Sequence, residues 1–230
     1  MSRCCRRRRL PNLGDLCDSA LRMTNVIVSD HPLVATKLAV MRARATAPDE
    51  FRRNLQELAQ LLFADATRTF ETAPVEIETP LQTCTGVVLA RAIALVPILR
   101  AGLGMLDGIL RVVPDANVGH IGIYRDEETL KPVSYFSRLP VNLAQSETLL
   151  LDPMLATGNS ACEAVSIVKA AGAMRIRLLC IVACPTGIEQ LHSQHADVPI
   201  VTAAIDPELD SRGYIVPGLG DAGDRYFGTG

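Results

Sequence analysis

No apolar run in this 230-residue chain reaches the length needed to cross a bilayer, and no apolar core of a signal peptide follows its basic start. A soluble, cytoplasmic protein is expected, with no membrane partner. A cysteine framework is missing too. The seven cysteines, Cys4, Cys5, Cys17, Cys84, Cys162, Cys180 and Cys184, are odd in number, scattered and without zinc-site spacing. That excludes a disulfide scaffold and suits a reducing compartment. Cys180 and Cys184 flank Ile181-Val182-Ala183, so both are expected as buried strand thiols rather than nucleophiles. Excess positive charge is also lacking: the formal net charge is −2, and falls to about −7 once the arginines at 3, 6, 7, 8 and 9 are set aside. Nucleic acid is therefore not an expected partner of the body. His192 and His195 are spaced for one helix turn, but no acid or third ligand follows them. Surface histidines are expected there, and no protein metal site is assigned.

What is present is a globular composition, 48% hydrophobic, and enough length for one large α/β domain. Residues 1–22 read as an Arg-rich tail, with a frayed end favoured over a targeting leader or a nucleic-acid arm because it has no apolar face. Residues 23–230 read as a single domain, with Met23 a candidate functional start. Ser29-Asp30 with Pro32 is expected to open one helix. A second helix carries Phe51, Leu55, Leu58 and Leu62 as a core-facing stripe. Thr72–Thr85 is expected as a short strand plus a loop. From Ala92 a buried strand runs to Leu99. Two strands, near 119–124 and 132–136, bracket a charged surface connection. After residue 147, strand and helix alternate, which predicts a parallel sheet covered on both faces.

The organising stretch is Glu147 to Ala161. Apolar Thr148-Leu149-Leu150-Leu151 ends in Asp152; the small-residue loop Ala156-Thr157-Gly158-Asn159-Ser160-Ala161 then passes into a helix-compatible segment. Such a loop offers backbone N–H groups, two hydroxyls and the positive end of a helix to an anion. Asp152 stands beside this cradle, where it would repel a phosphate but accept from sugar hydroxyls, so the pair suits a ribose 5-phosphate. An ordinary buried strand and turn is the alternative on these residues. Arg100 follows the earlier strand into Ala101-Gly102-Leu103-Gly104, at the end where open α/β sheets bind ligands. Capping the next element, or pairing with an acid, fits Arg100 equally well. The last stretch, Tyr214–Thr229, carries glycines and a proline that deny regular structure, yet its apolar residues call for a docked, ordered loop.

Three of these segments resemble one family in the right order. Asp152-Pro153-Met154-Leu155-Ala156-Thr157-Gly158, Pro97–Gly104 and Tyr214–Thr229 are similar to the phosphoribosyl-diphosphate (PRPP) loop, the diphosphate loop and the uracil-binding segment of uracil phosphoribosyltransferases. The resemblance spans His31 to Thr229. It implies an α/β, Rossmann-like parallel sheet flanked by helices, the type I phosphoribosyltransferase fold, with an N-terminal helical segment and a C-terminal base-binding hood. It implies a glycosyltransferase that joins PRPP and uracil into UMP and diphosphate, with magnesium as cofactor, a homo-oligomer and a GTP activator. On the residues, it places Arg100, Arg125, Asp152 and Asp221 in catalysis. PRPP would meet these four together with Pro153, Met154, Leu155, Ala156, Thr157, Gly158, Asn159 and Ser160. Uracil would meet Ile215, Gly220, Asp221 and Ala222, mainly through backbone groups. Lys131 is a weaker candidate than Arg125. Many of the wider class carry two adjacent acids where this chain has Asp152 and then Pro153, and Asn159 replaces a glycine; retained phosphate binding is expected, since a small amide still donates. A phosphoribosyltransferase for another base, and a PRPP- or nucleotide-sensing regulatory protein of the same fold, stand as the competing expectations.

Overall fold

The computed structural model describes residues 25–125 and 132–229. The expectations for the Arg-rich tail, for Met23 and for the charged connection with Lys131 lie outside the described residues.

Proline sets the start of the helical segment. Strand β1 (Val26–Val28) leads to α1 (Pro32–Arg42) and α2 (Pro48–Thr67), each with proline in its first turn, where an N–H would have no helical partner. The cap of α1 is His31 rather than Ser29-Asp30: its Nδ1 accepts from Leu33 N–H at 3.1 Å, while Ser29 Oγ donates to Asp65 on α2 at 2.7 Å. The stripe Phe51, Leu55, Leu58 and Leu62 is fully buried, as its spacing predicts.

The segment from Thr72 departs from expectation. Instead of a strand and a loop it forms a long antiparallel hairpin, β2 (Thr72–Glu78) and β3 (Thr83–Leu89), in unbroken register from Thr72↔Leu89 to Glu78↔Thr83. Pro74 is tolerated because a two-stranded ribbon leaves alternate N–H groups unpaired. The hairpin is exposed and keeps Val75, Ile77, Val87 and Val88 in solvent.

The remaining elements build the sheet. In chain order they are β4 (Ile93–Leu99), α3 (Leu103–Ile109), β5 (Asn117–Val118), β6 (His120–Arg125), β7 (Pro132–Arg138), β8 (Glu147–Leu151), β9 (Met154–Leu155), α4 (Asn159–Ala170), β10 (Arg175–Ala183), α5 (Pro185–Gln194) and β11 (Ile200–Ile205). The order is β1-β11-β10-β8-β4-β6-β7, parallel except for the antiparallel β6–β7 edge. Alternate residues serve opposite faces. Leu95, Leu149, Leu151, Leu179 and Ile181 pack with α1, α2 and α3, while Val96, Leu150, Leu178 and Cys180 pack with α4 and α5. Burial on both faces explains why these strands read as continuous apolar runs. A short ribbon, β12 (Glu208–Leu209) with β13 (Ile215–Val216), and α6 (Ala222–Phe227) end the chain.

Adjacent β4 and β8 continue to opposite sides of the sheet, β4 toward β6 and β8 toward β10. The sheet therefore has its topological switch point between them, where a crevice opens at the carboxyl ends. No helix among the described residues is long and apolar enough to cross a membrane.

Candidate active site

Beyond β8 the chain builds a cradle. Gly158 adopts φ +81°, and a Cβ there would lie 2.6 Å from Gly187 O on α5, so only glycine fits. Helix α4 begins at the next residue, which aims its free N–H groups at the loop. A cavity of about 290 Å³ results, lined by Asp152, by 154–158 and by Ser160 and Ala161, with Arg212, Gly213 and Tyr214 across the mouth. Two of the expected loop residues face elsewhere. Pro153 O accepts from Ile181 and Val182 N–H at 2.9 and 3.1 Å, locking it to β10, and Asn159 Oδ1 accepts from Gln190 Nε2 on α5 at 3.4 Å.

Asp152 lies at the strand end inside this cavity. Burial pushes its carboxyl up to about 6, against the lowering effect of one hydrogen bond from Met154 N–H at 3.2 Å. Cys180, on the neighbouring strand, is pushed up by burial to about 12, and with Cys184 it is fully buried. Both thiols are core residues, as their apolar setting predicts. His192 and His195 depart from the surface expectation: both are half-buried, contacting Val198 O at 3.1 Å and Cys162 O at 3.2 Å.

The second loop leaves β4 at the same end of the sheet. The Leu99–Arg100 peptide is cis, and Gly102 packs so closely against β8 that a Cβ would lie 2.3 Å from Leu151 O. Arg100 is 60% exposed, with a guanidinium nitrogen 3.6 Å from Asp224 Oδ1 and its carbon 5.6 Å from the Phe227 ring. Pairing with an acid, left open by the sequence, is thus present in the free protein. Arg125 ends β6, its backbone opposite Pro132.

The chain end is docked, as expected, though it contains β13 and a turn and a half of helix rather than loop alone. Arg42 grips Asp206 through two 2.7 Å bonds, and Asp206 also accepts from Gly218 N–H at 2.8 Å. Arg225 reaches back to Met41 O and, at 2.7 Å, to Ala43 O. These contacts dock the chain end with Ile215 and Ala222 buried and Gly220 and Asp221 exposed; Gly223 and Asp224 lie beside the Arg100 loop, and Asp221 caps α6 by accepting from Asp224 N–H at 2.8 Å. Arg212, Tyr214, Asp206 and Asp224 were not foreseen as site residues. Tyr214 and Asp224 lie within the stretch that resembles the uracil-binding segment, whereas Asp206 and Arg212 lie outside all three such stretches and come to the crevice only through the ribbon and the docking.

A strand-end acid and a small-residue loop thus meet at the switch point of a mostly parallel sheet. A crystal structure of adenine phosphoribosyl transferase from Trypanosoma brucei shares this fold, with a TM-score of 0.52 and 15% identity over 78% of this chain and 82% of that one. The particular family follows from closer likenesses. Residues 28–229 match the family model for uracil phosphoribosyltransferase, and the chain belongs to that family. Uracil phosphoribosyltransferases of Dictyoglomus thermophilum and Bacillus velezensis are 54% and 50% identical to it, over 89% and 90% of this chain and 99% and 100% of theirs. The structure of the AQ2163 protein from Aquifex aeolicus has a TM-score of 0.85 and 36% identity, covering 89% of this chain and 98% of that one.

Proposed function

We propose that the chain transfers the phosphoribosyl group of PRPP to uracil, forming UMP and diphosphate, and that its crevice divides the work among the three loops. The monophosphate of PRPP sits on the N–H groups of 154–160 with the hydroxyls of Thr157 and Ser160. Asp152 accepts from the ribose hydroxyls and, as a carboxylate, favours the positive charge that develops on the anomeric carbon as diphosphate leaves. Arg100 and Arg125 meet that diphosphate, whose oxygens displace Asp224 from Arg100. Uracil lies against the backbone of Ile215, Gly220 and Ala222, whose fixed N–H and C=O groups match its alternating edge. Catalysis then rests on in-line positioning and on stabilising the leaving anion, with no covalent intermediate on the protein. The observation that carries this reading is the cavity shared by Asp152, Thr157 and Ser160.

The donor set suits magnesium held chiefly by substrate. Asp221 and Asp224 are the carboxylates beside the Arg100 loop, and among the described residues no group of three or more acids, histidines or cysteines gathers into a protein cage. Magnesium commonly keeps waters and phosphate oxygens with one or two carboxylates, and when bound it neutralises charge on the diphosphate. The free thiols, exposed Cys84 included, suit a reducing cytoplasm. The exposed apolar hairpin β2–β3 supports pairing with a second copy of the chain; Val87→Asp is expected to shift the mass seen by light scattering toward a single copy. GTP enters as an activator on the family resemblance, tested by initial rates with and without it.

Release of diphosphate from PRPP, followed with uracil, hypoxanthine and adenine in turn, tests the assignment. Turnover with uracil alone is the expected result. Turnover with a purine instead would reassign the base, and binding of PRPP without turnover on any base would favour the sensor.

A further inference from the structure

The cradle has an unassigned cation at its mouth. Between β12 and β13 the chain turns through 210–214, and the turn is built around one carboxylate. Asp210 Oδ1 accepts from both Arg212 and Tyr214 N–H at 2.9 Å, Asp210 N–H donates to Tyr214 O at 2.8 Å, and Gly213 N–H donates to Asp210 O at 2.9 Å. The Tyr214 N–H, with the other N–H bonds and Arg212, holds the Asp210 carboxyl below its ordinary range. So fastened, the turn presents the Arg212 side chain at the opening of the cavity that contains Asp152, Thr157 and Ser160. What restrains that side chain is slight. It is 79% exposed, its Nε lies 3.8 Å from Asp210 Oδ2, and its guanidinium carbon stands 5.3 Å from the Tyr214 ring. An exposed pair at that distance contributes little, so an incoming anion competes easily for the guanidinium.

Charge makes the case. Among the described residues lining this cavity Arg212 is the one cation and Asp152 the one acid. A monophosphate brings close to two negative charges beside the Asp152 carboxylate, and the loop answers only with N–H dipoles and hydroxyls. We propose that Arg212 binds the donor's monophosphate, its guanidinium leaving Asp210 to close over the phosphate seated on the 154–160 loop. Arg212 then acts on the opposite end of PRPP from Arg100: it raises affinity for the donor and leaves the departing diphosphate untouched. A planar fork matched to phosphate oxygens suits this task, and a lysine retains the charge without the fork. The assignment rests on the cradle being the monophosphate site.

The test compares Arg212→Gln and Arg212→Lys with Thr157→Val, which probes the cradle itself. Arg212→Gln is expected to raise KM for PRPP, and the inhibition constant of ribose 5-phosphate, about tenfold, the usual scale for one charged hydrogen bond. The inhibition constant of diphosphate, KM for uracil and kcat should stay within about twofold, and Arg212→Lys should recover most of the loss. If Arg212→Gln leaves both PRPP and ribose 5-phosphate within about twofold while Thr157→Val weakens them tenfold, Arg212 has no such role and the cradle stands. If neither variant weakens them, the cradle assignment falls as well. A loss that extends equally to diphosphate and uracil, with a lower Tm and no rescue by lysine, would mean that Arg212 only shapes the turn.

Discussion

Asp152 concentrates the conflict between stability and function in one carboxyl. Its folded-state value near 6 stands above the ordinary 3.8 because burial disfavours the charged form. The unfolded chain therefore releases this proton at lower pH than the folded one. Stability contributed by the neutral carboxyl is lost as pH rises between about 4 and 6, on the order of 3 kcal/mol in all, and stays lost above. In thermal melts without ligand, Asp152→Asn should be more stable than the parent at pH 8, and the gap should close below pH 4. Activity runs the opposite way. With the carboxylate in the role proposed for it, kcat/KM for PRPP is expected to rise with pH through about 6, and Asp152→Asn should lose that rise together with about two to three orders of magnitude in kcat. Arg100→Ala should cost kcat on the same scale at saturating PRPP. The position of Asp152 was legible in the sequence, since an acid ending an apolar run before small residues marks a strand end beside a loop. Its raised pKa was not, because that depends on the neighbouring strands.

At the scale of elements, the loop after β8 holds its shape through contact with α5. Gly158 rests on Gly187 O, and a Cβ on Gly187 would lie 2.5 Å from Ala156 O. Gly158→Ala combines a left-handed φ with that close contact. Strain of about 1–3 kcal/mol or more is expected, read as a lower Tm and a raised KM for PRPP, with KM for uracil changed far less. Helix α5 falls within the foreseen alternation of strand and helix, yet its support of the cradle was not foreseen; the close approach is made through the backbone of Gly187, with Gln190 adding one side-chain bond to Asn159. The β2–β3 hairpin escaped for a different reason. Pro74 and Pro80 read as breakers among scattered polar and apolar residues, and a ribbon outside the main core lacks the alternation that a buried face imposes. Arg212 reaches the site only through the pairing of β12 with β13.

For the whole molecule, the crevice is completed by joining the two ends of the described chain. The Arg42–Asp206 pair ties α1 to the ribbon, and Asp206 holds the Gly218 turn from which the residues proposed to meet uracil, Gly220 to Ala222, follow. Asp206→Ala leaves Arg42 half-buried without its partner. A loss of about 3–5 kcal/mol is expected in denaturant unfolding, with KM for uracil raised more than KM for PRPP. The fold class and the three loops could be foreseen because parallel strands buried on both faces, and small residues at their ends, mark the chain locally. How the tail docks could not, since charges far apart in sequence decide it. The central claim is that Asp152 and the Thr157–Ser160 loop together hold the ribose and monophosphate of PRPP. A crystal structure of the protein with PRPP tests it most directly: the monophosphate should lie within hydrogen-bond distance of the Thr157 and Ser160 hydroxyls, with the ribose hydroxyls on Asp152. A monophosphate seated away from that loop would contradict the account.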